Sequence, residues 1–229
     1  MIRMLSCQNF ADCWEPLEDF PARRGIRVWR VGLMKRYDRA YFDHWYRGRN
    51  RVSSRDEVRR KVALAVATCE YFIRRPLRSV LDVGCGEGAW QPHLADLRPK
   101  SKYLGLDPSD YAVERFGESR NIRKVAFGEL ASARLRREFD LVVCSDALHY
   151  INDDDIRAGL PELVRVAGGV LFLEVLTADD DVIGDLHGMI RRPAVWYRKL
   201  FEKADLTAVG PYTWLAPGLR ADAAALEKR

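Results

Sequence analysis

The stretch VLDVGCGEGAW, residues 80–90, sets an acid, Asp82, two positions ahead of three alternating glycines, Gly84, Gly86 and Gly88. Glycines that close a turn behind a strand let backbone hug a nucleotide at a helix start. They also satisfy the GxGxxA dinucleotide fingerprint, with Ala89 in third place, so glycines alone do not choose a ligand. Asp82 does choose. A carboxylate ~4 Å from a pyrophosphate charge costs about 4 kcal/mol at an effective dielectric near 20, whereas it attracts a cation. The turn therefore suits a nucleoside whose tail is positively charged and carries no phosphate. His149 is the best-suited general base, because its unperturbed pKa lies near neutrality, and Glu174 is a second candidate. The runs Asp153–Asp155 and Asp179–Asp181 offer oxygen ligands of the kind magnesium takes. Both are expected to open helices, where acids are favoured by the dipole alone, so no metal is expected.

The elements that must hold these groups follow from periodicity. SVLDV (79–83), KYLGL (102–106), IRKVAF (122–127), FDLVVCS (139–145) and GGVLFLEV (168–175) are short, apolar runs of strand length. Between them lie helical stretches, one opening on Ser109 and one on Asn152. Such alternation predicts βαβ units and a doubly wound α/β fold with a mostly parallel sheet. AVWYRKLFEKADL and LTAVGPYTWL read as a further helix and strand, and the tail GLRADAAALEKR fits either a closing strand or a short helix. Before the sheet, residues 1–31 read as an irregular arm, and helical spacing recurs over about 33–46 and 56–73, where Val58, Val62, Ala65, Val66 and Cys69 form a stripe. Residues 1–78 are expected to be an arm and helical cap, and 79–229 the nucleotide-binding core.

Composition sets outer limits. Nearly half of the 229 residues are apolar, as in a globular protein. No apolar run approaches the ~20 residues of a membrane span, and the N-terminus lacks the apolar core of a signal peptide, so a cytoplasmic protein without membrane contact is expected. The five cysteines, Cys7, Cys13, Cys69, Cys85 and Cys144, are scattered without CxxC pairing and read as reduced thiols. Residues 1–78 hold 18 Lys and Arg against 9 Asp and Glu, while 79–229 hold 20 against 24. The basic charge thus belongs to the N-terminal third, either as a solvated helical face or as a patch for anionic partners. The sequence sets no oligomeric state.

VLDVGCGEG resembles the first motif of the class I S-adenosylmethionine-dependent methyltransferases, and the likeness extends over about residues 79–175. It implies a seven-stranded Rossmann-like sheet with an N-terminal helical lid, and S-adenosylmethionine as cofactor, with S-adenosylhomocysteine as product. Its ammonium and sulfonium agree with the charge argument for Asp82. The resemblance further implies that Gly84, Cys85 and Gly86 line the cofactor, and that Asp107, 19 positions beyond Gly88, holds the ribose hydroxyls with Pro108 against adenine. It places Glu129 and Leu130 at the adenine edge, and Cys144 and Ser145 along the methionine portion. Asp146, His149 and Tyr150 then fall nearer the acceptor, and Tyr41 and Trp45 of the lid are expected to wall it in.

The implied activity is methyl transfer to an O or N nucleophile of a small molecule. The basic, aromatic N-terminal third motivates an RNA-modifying alternative, although CSDALH lacks the NPPY-type motif of base N-methylases. A nicotinamide-dependent oxidoreductase is a further alternative, which the Asp82 charge argument disfavours.

Overall fold

The computed structural model describes residues 35–47, 52–135, 138–182 and 184–223. The arm at 1–31, with Cys7 and Cys13, and the last six residues lie outside them. Seven strands form one sheet: β1 (Ser79–Val83), β2 (Lys102–Asp107), β3 (Ile122–Lys124), β4 (Phe139–Ser145), β5 (Ala167–Glu174), β6 (Thr207–Gly210) and β7 (Thr213–Leu215). Their order is β3-β2-β1-β4-β5-β7-β6. β1 to β5 pair in parallel, and β7 is antiparallel to both its neighbours. The direction of winding reverses between β1 and β4, and in such sheets ligands bind beyond the carboxyl ends of the strands at that switch.

Helices fill the crossovers: α3 (Trp90–Leu97) follows β1, α4 (Asp110–Arg120) follows β2, α5 (Asp153–Arg165) precedes β5, and α6 (Ala194–Lys203) precedes β6. Ser109 and Asn152 cap α4 and α5 as expected, their side chains accepting from the N–H groups of Ala112 and Asp155. LTAVGPYTWL departs from the single strand expected. It folds back at Pro211–Tyr212, the latter at φ +57°, to give the β6–β7 hairpin. The described part of the tail is a 3-10 turn and a short helix, α7 (Arg220–Ala223).

Ahead of the sheet, α1 (Arg39–Phe42) runs into a π-helical turn (Asp43–Arg47), and α2 spans Arg55–Ile73 behind a Ser54 cap. The stripe Val62, Ala65, Val66 and Cys69 packs in one buried cluster with Val80, Leu141, Val143, Val170 and Phe172. α2 is therefore bound into the sheet's own core. At the amino end of the strands it is also pinned by polar bonds: Arg75 donates in a fork to Asp140 at 2.8 and 2.6 Å, and the Arg78 N–H adds a third bond at 2.7 Å.

Candidate active site

The glycine turn leaves β1 with Gly84 and Gly86 at φ +72° and +54°. Neither position accepts a side chain. A Cβ on Gly84 would lie 2.6 Å from that of Ala147, and one on Gly86 would meet the Phe42 ring at 3.1 Å. The bare backbone opens onto a cavity of ≈ 230 Å³ bordered by Tyr41, Phe42, Tyr46, Asp107, Pro108, Ala126, Phe127 and Cys144. A second cavity of ≈ 310 Å³ continues past the same glycines to Lys61, Asp82, Cys85, Glu87 and Ser145. A third, of ≈ 100 Å³, lies between the ends of β4 and β5 and α2, against Glu57, Lys61, Tyr150, Glu174 and Asp185. Among the described residues Asp146 alone borders all three.

Three carboxylates sit at this edge of the sheet with no Arg or Lys among the described residues hydrogen-bonded to them. Asp107, ending β2, accepts from the Gly86 N–H at 2.7 Å and the Ser109 N–H at 2.9 Å, which ties the glycine turn to the start of α4. Burial raises its pKa against those two bonds. Asp82 is almost fully buried, accepts from the Tyr103 hydroxyl at 2.8 Å, and is pushed up by burial to about 7. A cation facing it would draw it to the ionised form. Asp146 follows β4 in the left-handed region, φ +57°, with its N–H bonded to the Glu174 carbonyl at 3.1 Å. Burial first, and the Glu174 carboxylate second, push it up to about 7, although 33% of its side chain remains exposed.

Around Asp146 the partners are specific. Glu174 takes the Lys61 ammonium at 2.6 Å and the Ser145 hydroxyl, and Lys61 also reaches Glu57 at 3.2 Å. Asp185 pairs with Lys35, whose ammonium lies 3.5 Å from the Tyr150 ring centroid and within 5.3 Å of those of Tyr41 and Tyr37. Above the glycine turn Phe42 stacks on Tyr111, and Arg47 bonds Glu87 and the Tyr111 hydroxyl.

Several expected residues are placed elsewhere. His149 is completely buried and borders none of these cavities: the Leu176 N–H donates to its Nδ1 at 3.3 Å, and burial lowers its pKa to about 4. A buried imidazole that charges only near pH 4 is not poised to collect a proton from the cleft. Its Nε2, without a hydrogen bond, faces Asp146 Oδ1 at 3.4 Å. Glu129 is exposed and its carboxylate accepts from the Ala126 N–H, while Leu130 is buried in the core. β3 stops at Lys124, so the chain passes the cavity earlier, at Val125 to Gly128. Asp155, expected only as part of the acidic run that opens α5, borders the cavity instead, its Oδ1 lying against the place that a Cβ on Gly128 would take. Trp45 packs on His44 away from the cavity, and Phe42 and Tyr46 take its expected place. Of the acidic runs, 153–155 opens α5, whereas 179–181 lies in a loop where Asp180 accepts from Thr177 and Asp179 from the Ala194 N–H.

Residues 80–168 match the sequence profile of a family described as a methyltransferase domain. A stretch of 102 residues is 33% identical to trans-aconitate 2-methyltransferase of Deinococcus radiodurans, covering 44% of this chain and 39% of that protein. Another of 135 residues is 29% identical to a small RNA 2'-O-methyltransferase of Schizosaccharomyces pombe, covering 56% and 34%. The chain spans less than half the length of the curated relatives it matches. In fold it is similar to an S-adenosylmethionine-dependent methyltransferase from Clostridium acetobutylicum, with a TM-score of 0.55 at 16% identity over 77% of this chain and 95% of that one. Residues 80–168 thus carry a methyltransferase domain, and the sheet order and glycine turn agree with the Rossmann-like fold expected of the class I S-adenosylmethionine-dependent methyltransferases. The residues present fit S-adenosylmethionine: the two glycines leave an uncovered cradle, Asp107 borders it, and Asp82 borders the second cavity with no cation among the described residues hydrogen-bonded to it.

Proposed function

We propose that this chain moves a methyl group from S-adenosylmethionine to an O or N nucleophile of a small molecule. The observation that carries this reading is the pair of adjoining cavities that share Gly84, Gly86 and Asp146, the first bordered by Asp107 and the second by Asp82. Asp107 would hold the ribose hydroxyls, since each of its oxygens keeps a second lone pair beyond the backbone bond it accepts. Pro108 and Phe127 would flank adenine, with Asp155 at its edge in the role first expected of Glu129. Asp82 would attract the ammonium end, and Cys85, Cys144 and Ser145 would border the methionine chain.

S-adenosylmethionine supplies an electrophilic methyl group on a sulfonium. The protein's task is to align a nucleophile behind that carbon, and orientation of this kind supplies ~7–11 kcal/mol in favourable cases. Tyr41, Phe42 and Tyr46 border the first cavity, and Tyr150 borders the first and third, so Lys35–Arg47 would serve as the cap.

Calorimetric titration with S-adenosylhomocysteine and with NADH tests the assignment. Binding of the first and not the second is expected; NADH binding alone overturns it. The likeness to the small RNA 2'-O-methyltransferase supports a second reading, an RNA acceptor. It requires retention on RNA at low salt and a steep loss with added salt.

A further inference from the structure

We propose that the small chamber between the ends of β4 and β5 receives the ammonium group of an amine acceptor, with Asp146 taking its proton. This rests on the methyl-transfer reading above. Four carboxylates, Glu57, Asp146, Glu174 and Asp185, border the chamber, against two ammonium groups among the described residues, Lys61 in its lining and Lys35 on Asp185. A carboxylate or phosphate acceptor would be driven off by that field, and an ammonium drawn in.

Pairing within the chamber singles out one of the four. Glu57 and Glu174 share Lys61, and Asp185 holds Lys35. Asp146 has no Lys or Arg partner among the described residues, and its near neighbour is the buried, unbonded Nε2 of His149 at 3.4 Å. Because Nδ1 of that ring accepts the Leu176 N–H, the neutral tautomer carries its proton on Nε2. His149 thus presents an N–H toward the carboxylate and acts as a positioning residue. On the neighbouring wall Tyr37, Tyr41, Tyr150 and Asp185 surround the Lys35 ammonium, whose pKa burial lowers against the pairing with Asp185.

Asp146 also stands where the chamber meets both cofactor-side cavities. There the acceptor R–NH3+ passes one proton to the Asp146 carboxylate, leaving R–NH2. The nitrogen lone pair forms the new N–C bond as the S–CH3 bond breaks, and the breaking pair stays on sulfur. The products are R–NH2+–CH3 and a neutral thioether, and Asp146 releases its proton to water. Its raised pKa of about 7 suits both halves of the exchange.

The test uses full-length protein saturated with S-adenosylhomocysteine and a matched probe pair, ethanolamine and glycolate, with binding read by calorimetry or ligand-observed NMR. Ethanolamine is expected to bind at least tenfold more tightly than glycolate. Its affinity is expected to rise with pH from 5.5 to 8, as Asp146 ionises opposite Lys61, Glu174, Lys35, Asp185 and His149. Asp146→Asn should lose at least tenfold in ethanolamine affinity and flatten that profile, and the wild-type profile stands as a test should the variant not fold. His149→Gln should shift the profile's midpoint, which a role confined to packing would not do. Preference for glycolate, binding of neither probe, or a flat wild-type profile overturns the inference. Absence of S-adenosylhomocysteine binding instead overturns the methyl-transfer reading beneath it.

Discussion

β4 begins beside one aspartate and ends beside another, and the two are treated in opposite ways. Asp140, at the amino end, works against its burial through the Arg75 fork and the backbone N–H groups of Arg78 and Ser79, which hold its carboxyl below the usual carboxylate range. Asp146, just past the carboxyl end, has no guanidinium and is pushed up to about 7. Asp82 on β1 and Asp107 on β2 are likewise raised by burial. Ion pairing closes the amino edge of the sheet and ties α2 to it, whereas the carboxyl edge keeps costly acids that a cationic or hydroxyl-bearing ligand would satisfy.

The largest expected effect that breaks or sharpens this contrast is at Asp107. Replacing it with Ala removes two bonds to the glycine turn and the proposed ribose acceptor, so S-adenosylhomocysteine affinity should fall roughly a thousandfold. Undiminished affinity in a calorimetric titration would make Asp107 a purely structural acid. Asp140→Ala should do the reverse, lowering unfolding free energy by about 3 kcal/mol in urea while leaving affinity for the nucleoside within twofold. A thermal melt unchanged from wild type would remove the stabilising role assigned to the amino edge.

Asp82→Asn tests charge at the carboxyl edge. Binding of a cationic tail favours the ionised carboxylate, so wild-type affinity for S-adenosylmethionine should climb with pH up to about 7 and then level, while the Asn variant stays flat and about tenfold weaker at pH 8. Stability without ligand has the opposite sign. A carboxyl whose folded pKa is raised contributes stability that is full below its unfolded value near 3.8 and is lost as pH rises through about 7, a slope the Asn variant should lack. The smallest change is expected from Glu129→Ala, within twofold in affinity, because that side chain faces solvent.

The sequence made the βα alternation legible because each strand is a short apolar run flanked by caps such as Ser109 and Asn152, and periodicity reports both. The β6–β7 hairpin carried its own signal, the Gly210–Pro211 turn, which the apolar residues on either side masked. Candidate site residues at the carboxyl ends of strands, Asp82 and Asp107, were readable from spacing to the glycines. Those placed by local geometry were not. An α-helix would set Tyr41 and Trp45 on one face, but the π-helical turn brings Tyr41 and Tyr46 together, five residues apart. His149 turns inward on the 3-10 turn after β4, and no periodic pattern exists over three residues to reveal it.

The left-handed backbone at Asp146 narrows what heredity or engineering can place there. Glycine, asparagine and aspartate tolerate that conformation, whereas a branched or aromatic replacement would have to rebuild the junction of strand and turn. Attempts to widen the repertoire of accepted molecules are therefore better aimed at Val52, Ser53 and Val182, which border the same chamber on ordinary backbone.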